Sequence, residues 1–437
     1  MRSVEELPGL DQGARAGALQ KVQAEGLDLG IRVQASWVLA DTLHTMVGTR
    51  VLMEGFQGAP SRAWLRDPQD RYYPLLETLL WGDECVLLFG PLAEGTSAVH
   101  LEVTRLDPPQ SGEPPDAQAE ALIDPWKPLS RELALRVAAW QAADRAEEMV
   151  PVGSAEGSWR LDLPVDLGPA RAVSAAVSLD QTLPLGALTL HLQTLLRGAS
   201  GWRLAYRLLV PGTEEMAAAL PAVEEMLLAQ AQDRQDLAGL VEKAGLPLPG
   251  AAPTLFFTLG SGVRERPALR TSGPWGPLGQ RFYAFFEPVD WRPQVVRLHR
   301  LLSLPLPEPW FVDFDPRTGY QQPTLMEYPH DPLRFAGHLG AEIVYYHDDL
   351  VLLAPRLGLQ PGPVREAYPV ACRVVDYQGN VYDHSGRTSQ RLPDGGTAQG
   401  LAFPPLHRLT IWARLYVESL DVSLSPPLEV EVPHGAL

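Results

Sequence analysis

The residues with the clearest capacity for chemistry lie in the C-terminal third: His330, His338, His347, Asp348, Asp349, Asp376, Asp383 and His384. Imidazole and carboxylate are the ligands a divalent metal would take. Their local pattern argues against convergence on one ion. His347-Asp348-Asp349 reads as a turn between strands at 342–346 and 350–354, and neighbours along a strand point to opposite faces. Solvated turn residues are therefore expected, and no metal. Asp67 and Asp376 suggest the acid/base pair of a glycosidase, which needs two carboxyls facing one cleft. They occupy equivalent turns of two repeats, so turn capping is the expected role. Trp275, in the loop Ser272-Gly273-Pro274-Trp275-Gly276, and Trp291 are the candidate sugar-binding rings. Loops on a rigid β scaffold are where binding sits; core or rim packing is the other reading of both.

Familiar catalytic motifs are missing. Gly260-Ser261-Gly262-Val263-Arg264 opens like a phosphate loop but is not followed by Lys-Ser or Lys-Thr. There is no Gly-x-Ser-x-Gly and no His-Glu-x-x-His. No catalytic, cofactor-binding or metal residue is assigned, and no cofactor is expected. Cys85 and Cys372 belong to no Cys-x-x-Cys pair and read as buried free thiols.

Elements that would hold such residues show up as a repeat. Phe89-Gly-Pro91-Leu92, Phe286-Glu-Pro288-Val289 and Phe403-Pro-Pro405-Leu406 each precede a strand-like run. Ten residues past each Phe stand Val99, Val296 and Ala413; twelve past stand Leu101, Leu298 and Leu415. Polar residues fall between them, as in a half-buried strand. Fourteen past, the copies carry Val103, Arg300 and Val417, so the second breaks the pattern. Two copies also share a hairpin, with Asp67 and Tyr73 spaced like Asp376 and Tyr382. Closing strands follow at Trp159–Pro164, Trp310–Asp315 and Leu428–Pro433.

The chain has 437 residues, 45 % of them apolar. That is enough for about three domains of roughly 150 residues. The predicted plan is a leader over 1–25 with a short helix at Gly17–Gln23, and a first β-sandwich over 26–166 with a helical insertion at 107–158. A second sandwich covers 167–315 with a helical insertion at 212–250. A linker over 316–329 leads to a third sandwich over 330–437. In the first insertion a helix is expected over Leu129–Glu148, with Ser130 as N-cap. In the second, Pro221 can open a helix that Gly245 and Pro247 end. Short strands at this spacing predict a mainly β fold of three tandem immunoglobulin-like β-sandwich domains with two helical insertions.

A net charge of −17 and a pI near 5.0, without a basic block, oppose binding to nucleic acid. No apolar run approaches the ~18–20 residues of a membrane helix. Met1-Arg-Ser-Val-Glu-Glu is no export signal. The expected location is cytoplasmic if the chain is complete as written, and extracytoplasmic if an export or membrane segment is missing.

Gly30-Ile31-Arg32-Val33, Ala40-Asp41-Thr42, the Asp-to-Tyr turn and Phe-x-Pro-Leu together resemble the immunoglobulin-like ectodomains of bacterial sigma-factor-regulator proteins, anti-sigma-like proteins whose ectodomains have no assigned function. The resemblance implies successive sandwich units and brings no catalytic residue. This chain shows no membrane helix and no sigma-binding or zinc-binding segment. The functional expectation is a non-catalytic binding, scaffolding or envelope-sensing module with a protein or glycan partner. A glycan-acting hydrolase, or a carbohydrate-binding protein, with its site in an inter-domain groove is the alternative. Homo-association through an edge strand is a third reading.

Overall fold

In the computed structural model the described residues are 19–53, 58–81, 84–108, 124, 126–137, 153–186, 188–209, 220–230, 239–240, 243, 252–275, 280–347, 350–391, 397–407 and 410–433. The molecule is mainly β, built of several antiparallel sheets.

The first sheet contains β1 (Leu19–Asp28), β2 (Ile31–Ala40), β3 (Thr45–Leu52), β4 (Ala59–Arg66), β5 (Tyr72–Trp81), β6 (Glu84–Phe89), β7 (Ala98–Asp107) and β8 (Ala155–Pro164). Their lateral order is β1-β2-β3-β6-β5-β4-β7-β8. The short helix expected around Gly17–Gln23 is corrected here: from Leu19 the chain is strand, paired with β2 from Leu19↔Leu39 to Asp28↔Ile31. Val22 is buried between exposed Lys21 and Gln23, which is strand periodicity. Leu29 and Gly30, at φ of 52° and 76°, make the tight turn that matches the twist of the two strands. β5 bends between layers. Tyr73 pairs with Leu65 of β4, and Leu75 to Trp81 pair along β6. At the far end β1 and β8 lie side by side. The Asp166 backbone and the Gln20 amide exchange two hydrogen bonds of 2.8 and 2.9 Å, and Ser158 N–H donates to Asp28 at 2.6 Å. The sheet thus curls nearly closed around one core that includes Phe89, Leu101 and Trp159.

The same path recurs twice. β9 (Ala175–Leu185), β10 (Leu188–Gly198), β11 (Gly201–Leu209), β12 (Thr254–Ser261), β13 (Arg264–Trp275), β14 (Arg281–Phe286) and β15 (Val295–Phe314) run in the order β9-β10-β11-β14-β13-β12-β15. The third set is β16 (Thr324–Tyr328), β17 (Phe335–His347), β18 (Leu350–Leu359), β19 (Val364–Pro369), β20 (Cys372–Asp376), β21 (Val381–Asp383), β22 (Arg387–Arg391), β23 (Thr397–Phe403) and β24 (Ala413–Glu431). It runs β16-β17-β18-β23-β22 on one side and β21-β20-β24 on the other, with β19 also on β24. β21 and β22 divide what is the single bent strand β5 in the first set. β16 lies inside the stretch expected to be linker. In each set the second strand pairs with the third: β2 with β3, β10 with β11, β17 with β18. In an immunoglobulin domain the second strand lies beside the fifth, so the connectivity differs from the expectation. The connections from second to third strand are short here, which keeps consecutive strands adjacent.

Phe89, Phe286 and Phe403 each end the sixth strand and pair with the start of the third, at Thr45, Trp202 and Val351. They are 0, 2 and 1 % exposed. The pairs Leu65↔Leu101, Phe257↔Leu298 and Val374↔Leu415 repeat one register. The break at Arg300 is a register shift between Leu298 and Arg300, after which Leu301 takes the buried place.

The closing strands differ from the predicted plan. In the first set β8 closes on its own seventh strand, Leu163 against Val99 and Leu161 against Leu101. In the other two, closing and seventh strands are continuous as β15 and β24, and these pair with each other. The far half of β15, Trp310–Phe314, pairs with Val417–Ala413 of the third set. The far half of β24, Leu428–Glu431, pairs with Leu298–Val295 of the second. The two sets have exchanged closing strands. Pro305, Pro307 and Pro309 lie in the crossing of β15, where residues without an N–H interrupt the ladder.

Of the first insertion, residues 131–137 are helical, with Ser130 Oγ accepting from Leu133 N–H at 3.3 Å as the expected N-cap. The linker at 108–119 and the rest of that helix lie almost wholly outside the described residues. Of the second insertion the described helix is Leu220–Gln230, with Leu227 buried and Met226 exposed. Its expected end at Gly245 and Pro247 lies outside the described residues.

The first and second sets pack through outward faces. Leu76 and Leu88 meet Trp126, Tyr283 and Phe285. The Arg203 guanidinium lies 4.9 Å from the Trp126 ring centre and 5.2 Å from that of Tyr283, and donates to Leu43 O at 3.1 Å. Asp41 accepts from Leu43 and His44 N–H and from the backbone and hydroxyl of Ser200. Among the described residues no helix is long and apolar enough to cross a membrane.

Candidate functional site

The site grows from a turn that two sets share. In the first, Asp67 Oδ1 accepts from Gln69 and Arg71 N–H, and Asp67 Oδ2 accepts from Arg71 Nε and the Tyr73 hydroxyl. Tyr73 in turn accepts from Ala93 N–H at 3.0 Å. In the third, Asp376 Oδ1 accepts from Gln378 and Asn380 N–H, and Oδ2 from Asn380 Nδ2 and the Tyr382 hydroxyl. Tyr382 accepts from His407 N–H at 3.2 Å. Ala93 and His407 both stand four residues past the key Phe, so turn, tyrosine and Phe corner form one repeated joint. The second set has the tight hairpin Ser261↔Arg264 instead, with Gly262 at φ 59°.

At two further positions of this joint the third set alone carries aromatic residues. Asp67 is followed by Pro68, whereas Asp376 is followed by Tyr377. Nine residues past the Phe stand Ala98, Val295 and Trp412. Tyr377 and Trp412 are 54 and 45 % exposed and are tied by Tyr377 N–H donating to Trp412 O at 3.2 Å. A third ring, Tyr320, is 61 % exposed and comes from the turn after β15. Asp315 builds that turn by accepting from Arg317 and Thr318, and Asp315 N–H donates to Tyr320 O. The Tyr320 and Trp412 rings stand 6.2 Å apart at 84°.

These rings border a cleft of about 480 Å³ whose lining includes Asp313, Gln322, Val375, Asp376, Arg414 and Tyr416. Asp313 arrives on the exchanged half of β15. It binds Arg414 through both oxygens, at 2.7 and 2.9 Å, the two-pronged geometry that a guanidinium matches best. Arg414 also lies 4.2 Å over the Phe311 ring, and Arg373 lies 5.5 Å over Tyr416. Burial works to raise the Asp376 carboxyl, but hydrogen bonds from Asn380, Tyr382 and Gln378 outweigh it and hold it below the usual carboxylate range. The Asp376 carboxylate is thus held as an anion, which suits binding and not proton donation.

Asp67 and Asp376 are turn residues in separate sets, and of the two only Asp376 is among the described residues that line this cleft. Of the histidine and carboxylate candidates, His330 packs against Tyr328 and His384 against Phe403. Asp348 and Asp349 lie outside the described residues, and no metal-holding group is found among those described. Trp291 packs on the core. The Trp275 backbone ends β13 opposite Arg281. Cys85 and Cys372 are buried free thiols, pushed up by burial to about 11 and about 12. Tyr320, Tyr377 and Trp412 escaped the sequence reading because they stand in turns and in the assumed linker. The signal present was an aromatic where the sister repeats have Pro, Gly, Ala or Val.

No family model and no curated protein matches the chain. A crystal structure described as the conserved domain protein from Bacillus anthracis is similar over 72 % of this chain and 87 % of that one, at 9 % identity and a TM-score of 0.39.

Proposed function

We propose that the chain is a non-catalytic binding module, a tandem run of sandwich-like β units in which the third presents a ligand cleft and the others serve as scaffold. The observation that carries this reading is the placement of Tyr377 and Trp412 on a joint whose sister copies have small residues at those positions. Variation on a repeated framework is where recognition is expected. The partner is a protein or glycan, of which a segment or a group that it carries enters the cleft. The envelope-sensing role implied by the ectodomain resemblance belongs to this proposal.

The rival reading, a glycan-acting hydrolase, draws on Asp313 and Asp376 lining one cleft. Retaining and inverting mechanisms both need one carboxyl that carries a proton. Here Arg414 neutralises one carboxylate and four hydrogen bonds hold the other as an anion, so binding without turnover is favoured.

The test is a thermal-shift screen of oligosaccharides and peptides on the full chain, repeated on Trp412→Ala/Tyr377→Ala. Ligands that stabilise the parent should fail to stabilise the double variant, with unchanged far-UV circular dichroism. Equal stabilisation of both proteins would place the ligand elsewhere. Oligosaccharide cleavage abolished by Asp376→Asn would return the hydrolase reading.

A further inference from the structure

We propose that the ligand of the aromatic cleft is an organic cation with a quaternary ammonium head; this rests on the cleft being a binding site. Three observations lead there. The first is shape: the Tyr320 and Trp412 rings meet at 6.2 Å and 84° and, with exposed Tyr377, line one cleft. A quaternary ammonium is held by several ring faces at once, through the negative potential of each face.

The second is charge. Among the described lining residues Asp313 and Asp376 against Arg414 leave one net negative charge, and Asp313 and Arg414 already neutralise one another. The whole chain carries −17. Such a field concentrates cations at a cleft and repels anionic ligands. The adjoining sheet face already stacks cations on rings, with Arg414 over Phe311 and Arg373 over Tyr416.

The third separates a cation from a sugar. A sugar ring needs a circle of hydrogen-bonding partners for its hydroxyls. Both Asp313 oxygens are engaged by Arg414, the Asp376 oxygens by Gln378, Asn380 and Tyr382, and the Tyr377 hydroxyl by Gln378 Nε2 at 3.0 Å. Sugar hydroxyls meeting these groups would lose water and compete with bonds already made, which costs affinity. A quaternary ammonium has no hydrogen-bond donor to satisfy.

The test is calorimetric titration of the full chain with choline and with its uncharged carbon isostere, 3,3-dimethylbutan-1-ol, alongside chitotriose. Choline should bind at least about tenfold more tightly than the isostere. Trp412→Leu, which keeps apolar bulk and removes the ring, should weaken choline by about tenfold or more with the fold intact by circular dichroism. Raised salt should weaken it further. Equal binding of choline and the isostere would reduce the site to an apolar pocket and overturn the inference, as would absence of choline binding at millimolar concentration. Chitotriose binding that depends on Trp412, without choline binding, would overturn the cation and leave the binding module standing. Choline or chitotriose binding that ignores Trp412→Leu would remove the cleft and both readings with it.

Discussion

His44 is 6 % exposed, and neither ring nitrogen has a hydrogen-bond partner among the described residues. Burial pushes its imidazole down from 6.5 to about 4, with Arg270 and Arg203 adding to the fall and Asp41 opposing it. The folded chain therefore takes this proton less readily than the unfolded one. Above about pH 6.5 the group is neutral in both states and makes no difference; as pH falls toward 4 the unfolded state gains the proton first and stability is lost. The shift corresponds to about 3 kcal/mol by pH 4. Carboxylates titrate in the same window, so the measurement is a difference. The loss of urea stability between pH 7 and pH 4.5 should be smaller in His44→Leu than in the parent, and equal slopes would show that His44 is not the responsible group. At the joints, Tyr73→Phe removes a hydroxyl that serves both Asp67 and Ala93 N–H inside the core, and should cost about 1–3 kcal/mol. Tyr382→Phe, at a more open joint, should cost less. A neutral Tyr73→Phe in urea unfolding would make the joint incidental. The Asp-to-Tyr spacing was legible in the sequence because a capped turn is local. The bond from Tyr73 to Ala93 was not, since twenty residues separate them.

At the scale of the element, alternation carried most of the information. Inward positions at ten and twelve residues past each Phe are buried in all three sets: Val99 and Leu101, Val296 and Leu298, Ala413 and Leu415. Phe403→Ala in the full chain should cost about 3–5 kcal/mol, because a ring 1 % exposed leaves a cavity that its neighbours cannot fill. Glu418 faces solvent and meets Arg373 at 3.1 Å with both side chains more than two-fifths exposed. Glu418→Ala should change stability by only about 0.5 kcal/mol. If chemical unfolding finds the two substitutions equally harmless, the Phe corner is not a core element. Alternation says which face of a strand is buried but not which strand lies beside it. For that reason Trp310–Phe314 and Leu428–Glu431 were legible as strands and not as exchanged ones. β1 and β16 were hidden for another reason. Each lies in a stretch rich in small or turn-forming residues, and only pairing with β2 and β17 makes it a strand.

For the whole molecule, the exchange decides how the parts can come apart. The seventh strand of the second set is covered by Leu428–Glu431, and that of the third by Trp310–Phe314. Neither set completes its sheet without the other's segment, and their buried side chains form one cluster running from Val177 to Val432. A cut within 316–329 would leave a third set whose seventh strand has lost Val312 and Phe314, both at most 1 % exposed. The two sets should therefore open as one cooperative body, while the first, closed by its own β8, has a separate core. Hydrogen exchange on the intact chain tests this. Leu415→Ala removes a side chain 0 % exposed in the third set and should cost roughly 2–5 kcal/mol. That loss should appear as faster exchange in β18 of the third set and, to a similar extent, in β12 and β14 of the second. Leu161→Ala, in β8 opposite Leu101, the first-set match of Leu415, should loosen the first set and change β18 far less. Loosening of β18 by Leu415→Ala with β12 and β14 unmoved would mean that the exchanged strands add contact without joining the two sets. The cleft that Asp313 and Arg414 line would then be a seam that can open, whereas cooperative opening would make it a rigid, preformed site.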